Sequence, residues 1–149
     1  MKLKYSSTSN STTQLFGVLP NGEKIMKYTI SNKSGMALEV MEYGATVVSL
    51  KKIIQSGKII DIVLGFDTLD DYINSFLLPS APYFGATVGR YAGRIANATF
   101  NINGKTIVLN KNNNENALHG GLEGFSQKVW QLEQLKTENN PSVSFSYTS

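Results

Sequence analysis

The sequence predicts an all-β protein built as an antiparallel β-sandwich. Short runs rich in Val, Ile, Tyr and Thr alternate with Gly, Asn and Ser turn signals along most of the chain, which is typical of sandwiches. Helix signals are sparse: the stretch DTLDDYINSF offers Asp67 as an N-cap for a turn or two of helix. A chain of 149 residues with 41% hydrophobic and 17% charged residues is expected to form one globular domain.

The clearest element is a β-hairpin in the stretch ATFNINGKTIVL. Asn103-Gly104 suits a two-residue type I′ turn, because both positions of that turn require positive φ. The turn places Ile102 opposite Lys105 and Phe100 opposite Ile107. One face of the hairpin is then apolar and is expected to pack on a core. The residues of that face are Ala98, Phe100, Ile102, Ile107 and Leu109.

Other turns divide the remaining strands. Asn21-Gly22 predicts a hairpin within LFGVLPNGEKIMKYTI, and Ser56-Gly57 predicts another within VVSLKKIIQSGKIIDIVLGF. The segment SNKSG at 31–35 breaks the chain before MALEVMEYG. The final stretch NNPSVSFSYTS alternates apolar and polar residues as a strand does. Each predicted strand is therefore short and bounded by turn residues.

The composition argues against several classes of protein. The net charge of +3 and the pI near 9.1 come from scattered lysines, so we expect no nucleic-acid partner. With no cysteine and one histidine, we expect no metal site. No apolar run approaches the roughly 18 residues of a membrane span, and the start is too polar for a secretory signal. We therefore expect a cytoplasmic protein without a membrane partner, of undetermined oligomeric state.

The chain is expected to divide into a flexible polar head, residues 1–14, and a single β-sandwich domain, residues 15–149. The head contains SSTSNSTT, a low-complexity stretch. A second biased patch, NKNNNEN at 110–116, is interpreted as a surface loop because asparagine tolerates turn conformations.

A glycine-rich stretch, FGATVGRYAGRIANATF, carries Arg90 and Arg94. A phosphate-binding loop would need a helix after it, whereas the residues after Arg94 enter a strand. Glycines at this density instead indicate close backbone approach, which would let one or both guanidinium groups point into a cleft. The alternative is a surface or structural ion pair.

His119 lies in NALHGG, directly before two glycines. A histidine in a glycine-rich loop can be a hydrogen-bonded turn residue. It can also be catalytic, because an imidazole with a pKa near 6.5 exchanges protons at neutral pH. The residues alone leave both interpretations open.

Several motifs in order resemble the amino-terminal half of aldose 1-epimerases, also called galactose mutarotases. They are YGATVVSL, DIVLGFDTLDDYINS and PYFGATVGRYAGRIANATFNINGKTIVLNKNNNENALHGGLEGFSQKVW. The resemblance covers roughly residues 15–149 and implies a galactose mutarotase-like supersandwich, of which this chain is an incomplete amino-terminal part. It also implies interconversion of the α and β anomers of free hexoses such as galactose and glucose, by acid/base-catalysed ring opening without a cofactor.

The resemblance assigns roles to two residues. The second arginine of the family's Gly-Arg-x-Ala-Asn-Arg-Ile motif, which contacts the substrate, corresponds to Arg94. The histidine of the Leu-His-Gly-Gly motif, which contacts the sugar and assists the chemistry, corresponds to His119. The predicted hairpin between them would bring both residues to one side of the sheet.

Two departures from the family pattern limit what this chain is expected to do. Gly93 stands where the family usually has a sugar-contacting asparagine, which implies weaker binding or a changed sugar preference. The family's principal acid and its base, a histidine and a glutamate, correspond to positions beyond Ser149, so the 149-residue chain is expected to be inactive alone. The alternatives are a non-catalytic carbohydrate-binding relative and a hexose-6-phosphate epimerase.

Overall fold

The computed structural model describes residues 11–138 and 140–149. Its main element is a five-stranded sheet in the order β1-β2-β3-β4-β5, in which every pairing is antiparallel. Of the polar head expected over 1–14, residues 1–10 lie outside the described part, and residues 11–14 begin β1. The strands of the sheet are β1 (Ser11–Val18), β2 (Lys24–Ser31), β3 (Ala37–Met41), β4 (Thr46–Ile53) and β5 (Ile59–Asp61).

The predicted turns within this sheet are confirmed. Gly22, at φ 87°, ends the β1–β2 turn, where its N–H donates to the carbonyl of Leu19. Gly57, at φ 78°, does the same between β4 and β5 with the carbonyl of Ile54. The break at 31–35 separates β2 from β3. Both turns contain a glycine at positive φ, a backbone conformation that is energetically unfavourable for other residues.

The α-helix of the described residues, α1 (Leu69–Ser75), covers one face of the sheet. The prediction of Asp67 as its N-cap is wrong: Thr68 caps the helix, its hydroxyl accepting from the N–H of Asp71 at 3.1 Å. The Thr68 hydroxyl also donates to the Asp71 carboxylate. The same hydroxyl therefore pairs with both the N–H and the side chain of Asp71 in the first turn of the helix.

The core lies between α1 and the sheet. Leu69 and Tyr72, one helical turn apart, are 2% and 3% exposed and pack on Ile25, Met41 and Tyr43. These apolar side chains hold the helix in place, since a seven-residue helix has little stability of its own.

A second hairpin covers the opposite face of the sheet. It consists of β10 (Gln131–Lys136) and β11 (Ser142–Ser146), paired antiparallel. The ring of Phe145 in β11 lies 5.7 Å from that of Tyr28 in β2, so the hairpin forms a second layer. The alternation predicted at the end of the chain is thereby confirmed as a strand.

The Asn103-Gly104 hairpin is confirmed in type and register. It joins β7 (Thr99–Ile102) to β8 (Lys105–Val108), with Ile102 opposite Lys105 and Phe100 opposite Ile107. Asn103 and Gly104 have φ of 51° and 73°, as a type I′ turn requires.

The expectation that this hairpin packs on a core is wrong at its tip, whereas at its base Ala98 is buried and Ile107 and Leu109 are half-buried. Phe100 is 39% exposed and Ile102 is 53% exposed. The hairpin pairs only with itself in the described part of the chain, and its apolar face borders an open groove. Alternation identifies which side chains share a face, whereas burial depends on whether another layer lies over that face.

No helix in the described ranges is long and apolar enough to cross a membrane.

Candidate functional site

A cleft of about 480 Å³ opens beside the end of α1. The segment after the helix forms one wall, and the loops that carry Arg94 and His119 form the other. Its polar and aromatic lining includes Tyr43, Tyr83, Arg94, Asn112, Asn113 and His119. Arg94 and His119, the two site residues predicted from the sequence, therefore line one cavity.

Two very short strands bring these residues together. In the antiparallel pair β6 (Arg94–Ile95) and β9 (Ala117–Leu118), Arg94 lies opposite Leu118. His119 follows directly, and its N–H donates to the carbonyl of Gly93 at 3.1 Å. Because the β7–β8 hairpin occupies the chain between the two strands, residues 25 positions apart become neighbours, as expected.

The His119 ring is held by a second bond to the same glycine. The Gly93 N–H donates to Nδ1 of His119 at 3.1 Å. Since Nδ1 accepts a hydrogen bond, the proton of the neutral ring resides on Nε2. The ring nitrogen left for a ligand is therefore a hydrogen-bond donor.

Tyr83 supports the imidazole from the side. Its ring lies 4.8 Å from that of His119 in an edge-to-face arrangement, a favourable geometry for aromatic pairs. Burial, and secondarily the neighbouring Tyr91, raises the pKa of Tyr83 above its ordinary value. Burial likewise raises the pKa of Tyr43. Both phenols stay protonated at neutral pH and can serve the cleft as hydrogen-bonding groups.

Arg94 and Arg90 have different surroundings. Nε of Arg94 donates to Oδ1 of Asn113 at 2.8 Å, which leaves its terminal nitrogens for other partners. Arg90 lies over the ring of Phe125, 5.9 Å from its centroid, and lines a separate groove. The ion pairs formed by the described residues all join lysine to glutamate. The structural ion-pair alternative thus finds no support at either arginine.

Glycines allow the two loops to touch, as the sequence indicated. A Cβ on Gly120 would lie 1.9 Å from the carbonyl oxygen of Gly89, and one on Gly124 would lie 2.5 Å from that of His119. Contacts this short exclude any side chain, so the loop carrying His119 lies against the loop before Arg94. A Cβ on Gly93 would instead meet no atom within 4 Å, so the space beside Arg94 and His119 is open.

Both loops are anchored to the main sheet at the β3–β4 connection. The N–H of Val47 donates to the carbonyl of Gly85, and that of Thr87 donates to Gly44. On the other side, Gly44 donates to the carbonyl of Lys128 at 2.7 Å. Backbone hydrogen bonds therefore join the segments beside the cleft to the main sheet.

No aspartate or glutamate lines the cleft among the residues the structure describes. The same ranges contain no group of three or more His, Cys, Asp or Glu side chains that could hold a metal ion. Arg94 is the one lysine or arginine of the described lining. The cleft thus offers hydrogen-bond donors, one positive charge and the imidazole of His119.

Sequence reasoning missed three residues of this site. Asn112 and Asn113 belong to the patch interpreted as a surface loop, yet both are half-buried and bond to the Arg94 and His119 segments. The interpretation was wrong for these two, because composition does not reveal which asparagines turn inward. Tyr83, in the stretch PYFG, also escaped notice. Nothing in the composition of the patch distinguishes the first two from the neighbouring asparagines.

The fold and the cleft together define an antiparallel β-sandwich protein with a polar cleft at its loop end. The family model described as aldose 1-epimerase matches residues 26–149. The chain belongs to the aldose 1-epimerase family. This agrees with the resemblance carried by its sequence motifs.

Named relatives and solved structures give the same result. The chain is 39% identical over 119 residues to galactose mutarotase of Bos taurus, covering 80% of this chain and 33% of that protein. It is 33% identical over 130 residues to aldose 1-epimerase of Escherichia coli K12, covering 87% and 35%. A C. elegans GalM/aldose epimerase homologue superposes with a TM-score of 0.71 at 38% identity, covering 80% and 34%. Galactose 1-epimerase from Lactobacillus acidophilus superposes with a TM-score of 0.67 at 25% identity, covering 85% and 34%.

The chain spans about a third of the length of these relatives. The expected fold class is confirmed by the antiparallel sheets and by these structures.

Proposed function

We propose that the protein is an aldose 1-epimerase that interconverts the α and β anomers of a free hexose such as galactose or glucose. The observation that carries this proposal is the meeting of Arg94 and His119 in one cleft. Family membership and the names of the relatives, galactose mutarotase and aldose 1-epimerase, support the same activity.

Arg94 and His119 would hydrogen-bond to different oxygens of the sugar. The terminal nitrogens of Arg94 would donate to two hydroxyl oxygens, since its Nε is already bonded to Asn113. His119 would donate from Nε2 to an oxygen near the reacting carbon, because Nδ1 accepts from Gly93. Hydrogen bonds from charged groups contribute about 1.5–3 kcal/mol each, enough to orient a sugar that offers little apolar surface.

Anomer exchange needs two proton transfers. One group removes the proton of the hydroxyl on C1, and another protonates the ring oxygen; the C1–O5 bond opens, the aldehyde rotates, and the ring closes on the other face. His119 can assist one of these transfers. A second group must complete the pair, and the described lining of the cleft holds no carboxylate.

A non-catalytic carbohydrate-binding protein is the second candidate. The observation that favours it is the same described lining, which contains donors to a sugar but no carboxylate that could serve as a base. An open position at Gly93 also leaves a space that a sugar-contacting side chain could fill. Sugar binding without any change of mutarotation rate is the outcome that this candidate predicts.

An epimerase for hexose 6-phosphates is less well supported. A phosphate group is recognised by clustered arginine, lysine or backbone N–H groups. Arg94 alone supplies such a charge among the described residues of the cleft. Cytoplasmic location and the lack of nucleic-acid or membrane partners stay predictions of the composition.

Polarimetry on freshly dissolved α-galactose and α-glucose tests the enzymatic proposal. The complete protein containing this sequence should accelerate the decay of optical rotation, and its His119→Ala variant should not. The 149-residue chain alone should leave the decay at the uncatalysed rate. A complete protein that leaves the rate uncatalysed refutes the epimerase proposal, and full catalysis by the 149-residue chain refutes the argument that a second group is needed.

A further inference from the structure

The segment before His119 carries an asparagine whose side chain is fully used. Nδ2 of Asn112 donates to the carbonyls of Leu118 and Gly121 at 2.9 and 3.0 Å, and its Oδ1 accepts from the N–H of Leu118 at 2.7 Å. These bonds enclose the turn that contains His119. Two acceptors and one donor of the backbone can be matched only by a side chain that both donates and accepts, as a primary amide does.

The next residue acts on the other predicted site residue. Oδ1 of Asn113 accepts from Nε of Arg94 at 2.8 Å. The backbone of Asn113 is itself fixed, because its N–H and carbonyl exchange hydrogen bonds with Asn116 at 3.1 and 3.0 Å. Asn113 therefore presents a rigid acceptor, and this role requires an oxygen but no donor.

We propose that Asn112 and Asn113 are positioning residues, which set the His119 imidazole and the Arg94 guanidinium for the sugar. This inference rests on the proposed function of the cleft. Asn112 fixes the turn that keeps His119 Nδ1 on the Gly93 N–H, and so keeps the proton of the neutral ring on Nε2. Asn113 occupies Nε of Arg94 and so directs the terminal nitrogens to the ligand.

The two roles predict opposite responses to the same substitution. Aspartate keeps the acceptor of asparagine but loses its donor and gains negative charge. At position 113 it should still accept from Arg94, and more strongly. At position 112 the aspartate carboxylate would face the carbonyl oxygens of Leu118 and Gly121 with no proton to donate. Both carbonyls would then lose their hydrogen bonds and be repelled by the negative charge. Asn113→Asp should thus preserve the site, and Asn112→Asp should disrupt it.

The composition makes the readout unusually direct. The chain has one histidine and two arginines, Arg90 and Arg94. Long-range ¹H–¹⁵N spectra therefore report the His119 tautomer without resonance assignment. The Nε–H signals of the two arginines are told apart by an Arg90→Ala variant. Both measurements are made without sugar, and amide spectra of each variant show whether the chain remains folded.

The chain with its native sequence should show the Nε2–H tautomer and an Arg94 Nε–H protected from exchange. Asn112→Asp and Asn112→Ala should mix the two tautomers, and Asn113→Ala should lose the Arg94 protection while leaving His119 unchanged. Galactose affinity should fall about tenfold or more in these three variants, as expected for the loss of a hydrogen bond to a charged group or of its geometry. Asn113→Asp should retain both signatures and the affinity.

Asn114→Gly is the matched control. Asn114 is exposed, lies in the same segment and has φ 54°, so glycine removes its side chain without backbone strain. It should change neither signature. The proposal is overturned if Asn112→Asp keeps tautomer and affinity, or if Asn113→Asp loses as much as Asn113→Ala.

The failure of this inference is distinguishable from failure of the proposed function. If the native chain binds no galactose but the tautomer and exchange signatures respond as described, the sugar site is wrong and the positioning roles stand. If galactose binds and the variants behave like the control, the positioning roles are wrong and the sugar site stands.

Discussion

Arg94 and Arg90 carry the same guanidinium group four residues apart, yet only Arg94 lines the cleft with His119. Arg94→Ala should therefore weaken galactose binding by about 10- to 100-fold, the equivalent of one hydrogen bond from a charged group. Arg90→Ala removes the same charge from a neighbouring groove and should leave the affinity unchanged. Titration of both variants with galactose, followed by NMR, measures the difference. Equal affinity of the two variants would contradict the assignment.

A substitution at Gly93 should strengthen galactose binding instead of weakening it. Its φ of 79° disfavours most side chains, but asparagine tolerates that region better than alanine does. Since a side chain there meets no atom within 4 Å, Gly93→Asn should add an amide beside Arg94 and His119 and strengthen galactose binding. Gly93→Ala is the control for backbone strain. Binding by Gly93→Asn that is no tighter than binding by Gly93→Ala would show that the space contributes nothing to sugar recognition.

Two residues of the site could be predicted from the sequence. His119 and Arg94 could be proposed because their motifs resemble those of a known family. Asn112 could not, because its importance arises from three hydrogen bonds to residues six to nine positions away. A residue that acts through the fold leaves little trace in its immediate neighbours.

At the level of elements, the contact between the two site loops determines the position of His119. Gly120→Ala would place a methyl group 1.9 Å from the Gly89 carbonyl oxygen. Gly57→Ala is the matched control, because Gly57 has a similar φ of 78° and open space around it. The control should lose about 1–2 kcal/mol of unfolding free energy through positive φ alone. Gly120→Ala should lose a further 1–3 kcal/mol, approximately, through overpacking.

Urea unfolding of the two variants gives these values. Equal losses would show that the loops can separate without cost. A larger loss of unfolding free energy for Gly120→Ala, together with a shifted His119 signal, would show that the loop contact both stabilises the fold and positions His119.

The central sheet carries a pH-dependent interaction. Burial opposes ionisation of Glu39, but hydrogen bonds and charges from Lys27 and Lys51 outweigh it and hold the pKa of Glu39 below its usual value. A lowered folded-state pKa gives stability that is present above the pKa of the unfolded chain. That stability is lost as pH falls through the folded-state pKa.

Glu39→Gln should therefore be less stable than the native chain at pH 7, and the difference should shrink as the solution is acidified below pH 4. Urea midpoints at both pH values measure it. Surface-exposed Glu133→Gln serves as a control with no lysine partner among the described ion pairs. A difference that stays constant with pH would contradict the role of the charged form.

The elements also differ in how far the sequence predicts them. The positions of the Asn-Gly and Ser-Gly turns could be predicted because the glycine of each adopts positive φ. At Asn103-Gly104 the two-residue turn also determined the register. Strands β6 and β9, two residues each, are too short for any periodicity, so their pairing could be inferred only from the hairpin between them. The helix cap was misplaced by one residue because Asp67 and Thr68 are both good N-caps.

For the whole molecule, the sequence predicted the fold class but not which faces would be covered. Large apolar side chains such as Leu77, Val108 and Leu64 are 80%, 75% and 71% exposed, so no layer of the described chain covers them. Exposed apolar surface of this kind favours association. The described residues nevertheless include the β3–β4 connection and its hydrogen bonds to the segments beside the cleft. Sugar binding can therefore be measured on the 149-residue chain itself.

The most direct test of the central claim, that Arg94 and His119 form a sugar site, is a galactose titration of the ¹⁵N-labelled 149-residue chain. The single imidazole and the two arginine Nε–H groups are followed together. We predict that the His119 and Arg94 signals shift saturably with one common dissociation constant while the Arg90 signal stays in place. Signals of His119 and Arg94 that remain unmoved by galactose, or that move no more than that of Arg90, would contradict the account.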